Sequence, residues 1–165
     1  MAPMHRNLRW VRTQQQSNRI GAVRLFVSPV LRQAVSDLGP ALASGCPEQV
    51  QPVVQTIANE ICSALKVPPV TVLVERVRPH NQRGELHGLY TARKGSVATI
   101  RLWMLTAKRQ KVAAFKTFLR TLLHELCHHL DYHLLHLGDS VHCEGFYKRE
   151  SSLFHQITHH LNATP

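Results

Sequence analysis

The chain has 165 residues, 44% hydrophobic and 18% charged, which fits one domain of ordinary size with enough apolar content to bury a core. Its four cysteines contain no C-x-x-C pair, so a zinc ribbon is excluded and no disulfide framework is indicated. No apolar run approaches the roughly 18 residues of a membrane span and the N-terminus lacks a secretory apolar core, so a reducing, cytoplasmic, membrane-free setting is expected.

The net charge of +10 is unevenly placed. From Met1 to Ser36 there is no acidic residue, whereas Arg6, Arg9, Arg12, Arg19, Arg24 and Arg32 are all present. Residues 1–27 show no sustained period and carry a Gln14-Gln15-Gln16 tract, so they are expected to form an extended or disordered basic arm. Such an arm could make weak, nonspecific contacts with nucleic-acid phosphates, extended by Arg93, Lys94, Lys108, Arg109 and Lys111. Its composition is also that of an organellar transit peptide.

Residues 28–165 are expected to form a single domain. Ser28-Pro29 reads as the cap and first residue of a short helix that Gly39-Pro40 ends at Leu38, with 41–45 as a loop. Pro47 opens a second helix whose stripe is Val50, Val54, Ile57, Ile61 and Leu65, stopped by Pro68-Pro69. The β-branched run Val70 to Val74 predicts a strand, Pro79 to Gly84 a turn, and Leu86 to Thr91 and Val97 to Leu105 two more strands. Val112, Phe115, Leu119, Leu122, Leu126 and Leu130 then recur every three or four residues. They predict a long helix from about Lys108 or Lys111 to about Leu137, stopped by Gly138. A final helix follows, capped by Asp139 or Ser140, with Phe146, Leu153, Phe154, Ile157 and Leu161 on its apolar side. The expected fold class is α+β, a small three-stranded sheet covering one side of the long helix.

That long helix contains His124-Glu125-Leu126-Cys127-His128. Residues four apart share a helix face, so His124 and His128 can aim two imidazoles at one point, off the apolar stripe. Zinc accepts neutral imidazole, and a catalytic zinc keeps three protein ligands with the fourth position left for water. Glu125 follows the first ligand, where its carboxylate can take a proton from an attacking water. A five-residue pattern also arises by chance in a chain with 12 histidines, but the helical context, the apolar flanks and a ligand downstream favour the metal.

The third ligand could be His142, Glu144 or Glu150, while the metzincin continuation is ruled out by Asp131 and Leu134. His129, His133 and His136 read as a solvated or partner-facing side. Asp131 could receive a ligand N–H or form a surface pair. Tyr90 or Tyr147 could polarise a substrate carbonyl, and Cys127 and Cys143 read as packing residues.

The helix, the loop and the element His142-x-x-x-Phe146-Tyr147 resemble the SprT-like and WLM families of zinc metallopeptidases, over roughly Tyr90 to Leu161. The resemblance implies a zincin-like fold, one zinc ion on His124, His128 and His142, and Phe146 as the packing anchor of the last helix. It further implies Glu125 as general base and a protein or peptide substrate paired along the strand before the metal helix. Separate nucleic-acid modules carried by several family members are not seen here. The rival expectation is a non-catalytic, zinc-stabilised module that binds nucleic acid or a protein partner through its basic surface.

Overall fold

The computed structural model describes residues 3–163. Helix α1 (Pro3–Asn18) occupies most of the stretch expected to be a disordered arm, and after a turn at Arg19 residues 20–28 have no regular secondary structure. The expectation of disorder over 1–27 is thus corrected, apart from Met1 and Ala2, which lie outside the described residues. Hydrophobic periodicity missed this segment because its anchors are polar. Arg149 donates to the carbonyls of Ser17 and Ile20 at 2.9 and 2.7 Å and to the Ser17 hydroxyl at 2.8 Å. Gln156 clamps the Val23 carbonyl and the Leu25 amide at 2.8 and 2.9 Å. A Cβ at Gly145 would stand 2.1 Å from the Ser17 carbonyl oxygen, so glycine is what lets the end of α1 touch the last helix.

Helix α2 (Pro29–Ala43) begins as expected, the Ser28 hydroxyl accepting from the Leu31 amide at 3.0 Å. It runs through Gly39-Pro40 rather than ending at Leu38, because Leu38 and Leu42 one turn apart both enter the core and outweigh the hydrogen bond lost at Pro40. Helix α3 (Pro47–Ala64) buries Val50, Val54, Ile57 and Ile61 completely, four of the five stripe positions its spacing predicts, while Leu65 is its partly buried C-cap.

The main sheet has the order β1-β5-β4, with β1 (Val70–Val77) parallel and β4 (Gly88–Thr91) antiparallel to the central β5 (Ala98–Leu105). Between β1 and β4, the expected turn at 79–84 closes a two-residue hairpin, β2 (His80–Asn81) on β3 (Gly84–Glu85). The two edges of the sheet differ. Along β1, the side-chain amides of Gln51 and Gln55 on α3 take the amides of Val74 and Val72 and the carbonyls of Val72 and Val70, which satisfies that edge. The other edge, β4, faces the helix that carries the histidines.

That helix, α4 (Phe115–His133), is shorter at both ends than expected. Residues 106–114 turn back so that Val112 bridges Leu105, leaving Val112 exposed and outside the helix. The C-terminal end comes before Gly138, because the Leu137 amide reaches the Asp131 carbonyl at 2.9 Å and His136 takes a positive φ of 51°. Leu119, Leu122, Leu126 and Leu130 are buried against the sheet and α5 (Glu144–Thr158). Cys143, not Asp139 or Ser140, holds the N-cap position of α5, and Leu161 is exposed in a final 3₁₀ turn. The fold is mixed α+β, and no helix among the described residues is long and apolar enough to cross a membrane.

Candidate metal centre

One turn of α4 separates His124 from His128, and the loop before α5 brings His142 to meet them. The Nε2 atom of His142 lies 3.1 Å from that of His124 and 3.0 Å from that of His128. Among the described residues these three form the group able to hold a metal ion, their ligand atoms all within 4.8 Å of one another. The fully buried Phe146 ring supports all three imidazoles, with centroid separations of 4.9, 4.9 and 5.0 Å. The two carboxylates considered as third ligands lie elsewhere. Glu144 is exposed and paired with Lys148, and Glu150 stands behind His124, its Oε2 3.0 Å from Nδ1.

The outer hydrogen bonds decide which nitrogen carries the proton. An ionised carboxylate only accepts, so Nδ1 of His124 donates to Glu150 and Nε2 presents a lone pair. The Ser140 hydroxyl gives its single proton to Asp131 Oδ2 at 2.8 Å, so it must accept from Nδ1 of His128 at 2.7 Å. Nε2 of His128 therefore also presents a lone pair. Two acceptor nitrogens thus face Nε2 of His142, and with the His142 proton on Nδ1 three lone pairs converge, a donor set that fits a cation. Burial, with the imidazoles of His124 and His142 beside it, pushes the His128 pKa down to about 4, which keeps the ring in its ligand form.

Asp131, weighed as ligand partner or surface pair, is neither at the surface nor in direct contact with a ligand. It is 0% exposed, takes Arg149 Nη2 at 2.8 Å and acts on His128 through Ser140. Burial raises its pKa, and Ser140 and Arg149 pull it back. Ser140 was read from sequence only as a candidate cap of the last helix, and Arg149 was not singled out. Arg149 had left a signal, because it stands three residues after Phe146 and four before Leu153, on the apolar face of its helix.

Glu125 is buried beside the centre. Burial raises its carboxyl pKa, while His124 and the Tyr90 backbone pull it down. Edge strand β4 passes so close that a Cβ at Gly88 would lie 2.8 Å from Glu125 Oε1 and from Thr121 Cγ2. A cavity of about 420 Å³ opens here, lined in part by Glu85, His87, Arg120, His124, Glu125 and Glu150.

Three further expectations are settled by position. His129 is 1% exposed rather than solvated, its Nε2 donating to the Pro68 carbonyl at 2.8 Å and its Nδ1 accepting from the Tyr90 hydroxyl at 3.0 Å. That commits the Tyr90 hydroxyl and removes it as a group for polarising substrate. Tyr147 is 51% exposed with its ring 6.2 and 6.1 Å from those of His124 and His142, so it stands beside the centre. Cys127 and Cys143 are buried packing residues, Cys143 donating to the Ser17 hydroxyl at 3.1 Å. Compared with protein-family models, curated proteins and solved structures, the chain matches none of them.

Proposed function

We propose that the protein is a zinc-dependent endopeptidase with a zincin-like arrangement of the SprT type. The observation that carries this reading is the convergence of the Nε2 atoms of His124, His128 and His142, with the Glu125 carboxylate buried next to them. Nitrogens 2.0–2.1 Å from one zinc at the tetrahedral angle would be about 3.3 Å apart, close to the 3.0 and 3.1 Å found here. Three histidine ligands leave the fourth position open, the pattern of catalytic rather than structural zinc.

Zinc, when bound, supplies a Lewis acid for the scissile carbonyl and makes water a better nucleophile at neutral pH. Glu125 takes the proton from the attacking water and passes it to the leaving amine. Its burial supports both halves of that cycle, because a carboxyl with a raised pKa is a better base and can release the proton again. Glu150 and Ser140 hold two of the imidazoles in the tautomer the metal needs. The strand before the metal helix, β5, is the central strand with both sides paired, so it is not the edge the resemblance implied; the edge beside Glu125 is β4, and an extended peptide would pair there.

Metal analysis and peptide cleavage test the reading together. Wild type and Glu125→Gln should each hold one equivalent of zinc, with cleavage of a mixed peptide pool abolished only in the variant. A folded wild type that takes up no zinc sinks it. A second reading, a zinc-stabilised module without hydrolysis, draws on Arg9, Arg12, Arg19 and Arg24, all exposed. It requires that Glu125→Gln change nothing and that affinity for nucleic acid fall with salt.

A further inference from the structure

On the far side of Tyr90 from the metal centre lies a second basin, of about 800 Å³, that the proposed chemistry does not use. The Tyr90 ring separates the two. It stacks on His128 at 6.3 Å and on Tyr132 at 6.4 Å, with interplanar angles of 20° and 17°. His129 fixes it from below, both ring nitrogens already satisfied. The wall is therefore rigid and aromatic. The rim is cationic, formed by Arg93 and Lys94 on the exposed turn between β4 and β5 and by His133 on the last turn of α4.

The two cavities differ in their charged groups. The cavity at the Gly88 end of β4 carries Glu85, Glu125 and Glu150, and two of these are already paired, Glu85 with Arg78 at 3.2 Å and Glu150 with Arg120 at 3.5 Å. The basin at the Thr91 end has no carboxylate in its lining, and among the described residues neither Arg93 nor Lys94 forms an ion pair. The hydroxyl of Tyr132 is taken by Asp139, which leaves the ring faces and the cations to meet an occupant. An aspartate or glutamate side chain suits such a place, its methylenes on the aromatic wall and its carboxylate at the rim.

We propose that this basin is a specificity subsite that takes an acidic side chain of the peptide whose scissile carbonyl lies at the metal centre, with Arg93 and Lys94 as the selecting residues. The assignment rests on the peptidase reading for its register, but its charge preference can be measured without turnover. Zinc-loaded Glu125→Gln protein is titrated with short fluorescein-labelled peptides that are identical except for one glutamate, alanine or lysine, and anisotropy is read. The glutamate peptide should bind about tenfold more tightly than the lysine peptide. In Arg93→Glu/Lys94→Glu that order should reverse, whereas Arg93→Lys should keep it. Both positions are exposed, so the charge-reversed variant should fold, which circular dichroism checks.

Equal affinity for the three peptides, no binding of any of them, or a preference that survives charge reversal overturns the subsite. So does a single-stranded oligonucleotide that displaces the glutamate peptide and itself depends on Arg93 and Lys94, because the basin would then belong to nucleic acid. The two readings fail separately. Charge-selective binding without cleavage by wild type removes the peptidase and leaves an acidic-peptide site, while cleavage indifferent to charge removes only the subsite.

Discussion

His124 and His128 stand on neighbouring turns of one helix and are held by unlike means. Behind His124 is a single carboxylate, Glu150, which shares itself with Arg120 on the wall of an open cavity. Behind His128 is a chain that runs inward through Ser140 and Asp131 to Arg149, which is 1% exposed, and ends on the backbone of Ser17 and Ile20. One imidazole is oriented by a side chain on the wall of an open cavity, the other by a network that folding must complete first. The N-terminal segment is thus tied to the histidine cluster, four hydrogen bonds removed from His128.

The largest expected effect lies on the closed side. Asp131→Ala leaves Arg149 charged and buried without its partner, and breaking such a pair costs about 3–5 kcal/mol. Urea unfolding of metal-free protein measures this, and a loss below about 1 kcal/mol would mean that the buried chain is not the anchor described here. Arg149→Lys sharpens the same point. It keeps the charge but cannot fork to Asp131 and the Ser17 and Ile20 carbonyls together, so most of the loss should remain.

On the open side the expected effects fall on chemistry and metal rather than on folding. Gly88→Ala drives a methyl into Glu125 Oε1, and one of the two must move. If the peptidase reading holds, a displacement of the base on the ångström scale lowers cleavage about 10²-fold while zinc content stays at one equivalent. Unchanged cleavage would show that Glu125 is not held by the strand. Glu150→Ala comes next. It frees the His124 ring and should weaken zinc binding about 10–100-fold, as read by competition with a chelator. Stability should barely move, because Arg120 keeps its place 4.1 Å over the Phe154 ring.

The same contrast explains what the sequence could disclose. His124, Glu125 and His128 were legible because they lie within one turn of a helix marked by its own apolar period. His142 was one of three candidates and was singled out only through a resemblance, since eight residues of irregular chain separate it from α4 and no local rule fixes where such a loop returns. The long helices and the three strands could be read from period and punctuation. What resisted were features created by contact between distant segments. Helix α1 has few apolar residues and is secured by Arg149 and Gly145, more than a hundred positions away. Pro40 stays helical because Leu42 is needed in the core, a tertiary demand that overrides a strong local breaker.

The smallest effect concerns pH, and it tests whether the closed half is set before the metal arrives. In metal-free protein His128 titrates near pH 4, lowered first by burial and then by the imidazoles of His124 and His142, with Asp139 opposing. In the unfolded chain it titrates near 6.5. As pH falls the unfolded state therefore takes up the proton first, so the stability that depends on a neutral His128 is complete above about pH 6.5 and is lost toward pH 4. Buried Glu125 and Asp131, whose pKa values are raised, act with the opposite sign, so the wild-type profile alone does not isolate the histidine. The difference between wild type and His128→Gln does, since both carry the same carboxylates. Because the ring is partly exposed the effect is screened to about 1 kcal/mol, or about 2–4 °C in melting temperature. Thermal melts in chelator from pH 7.5 to 4.5 should show wild type falling more steeply than the variant. Parallel curves would mean that His128 becomes charged like an ordinary surface histidine, and that its lone pair is not fixed inward by Ser140.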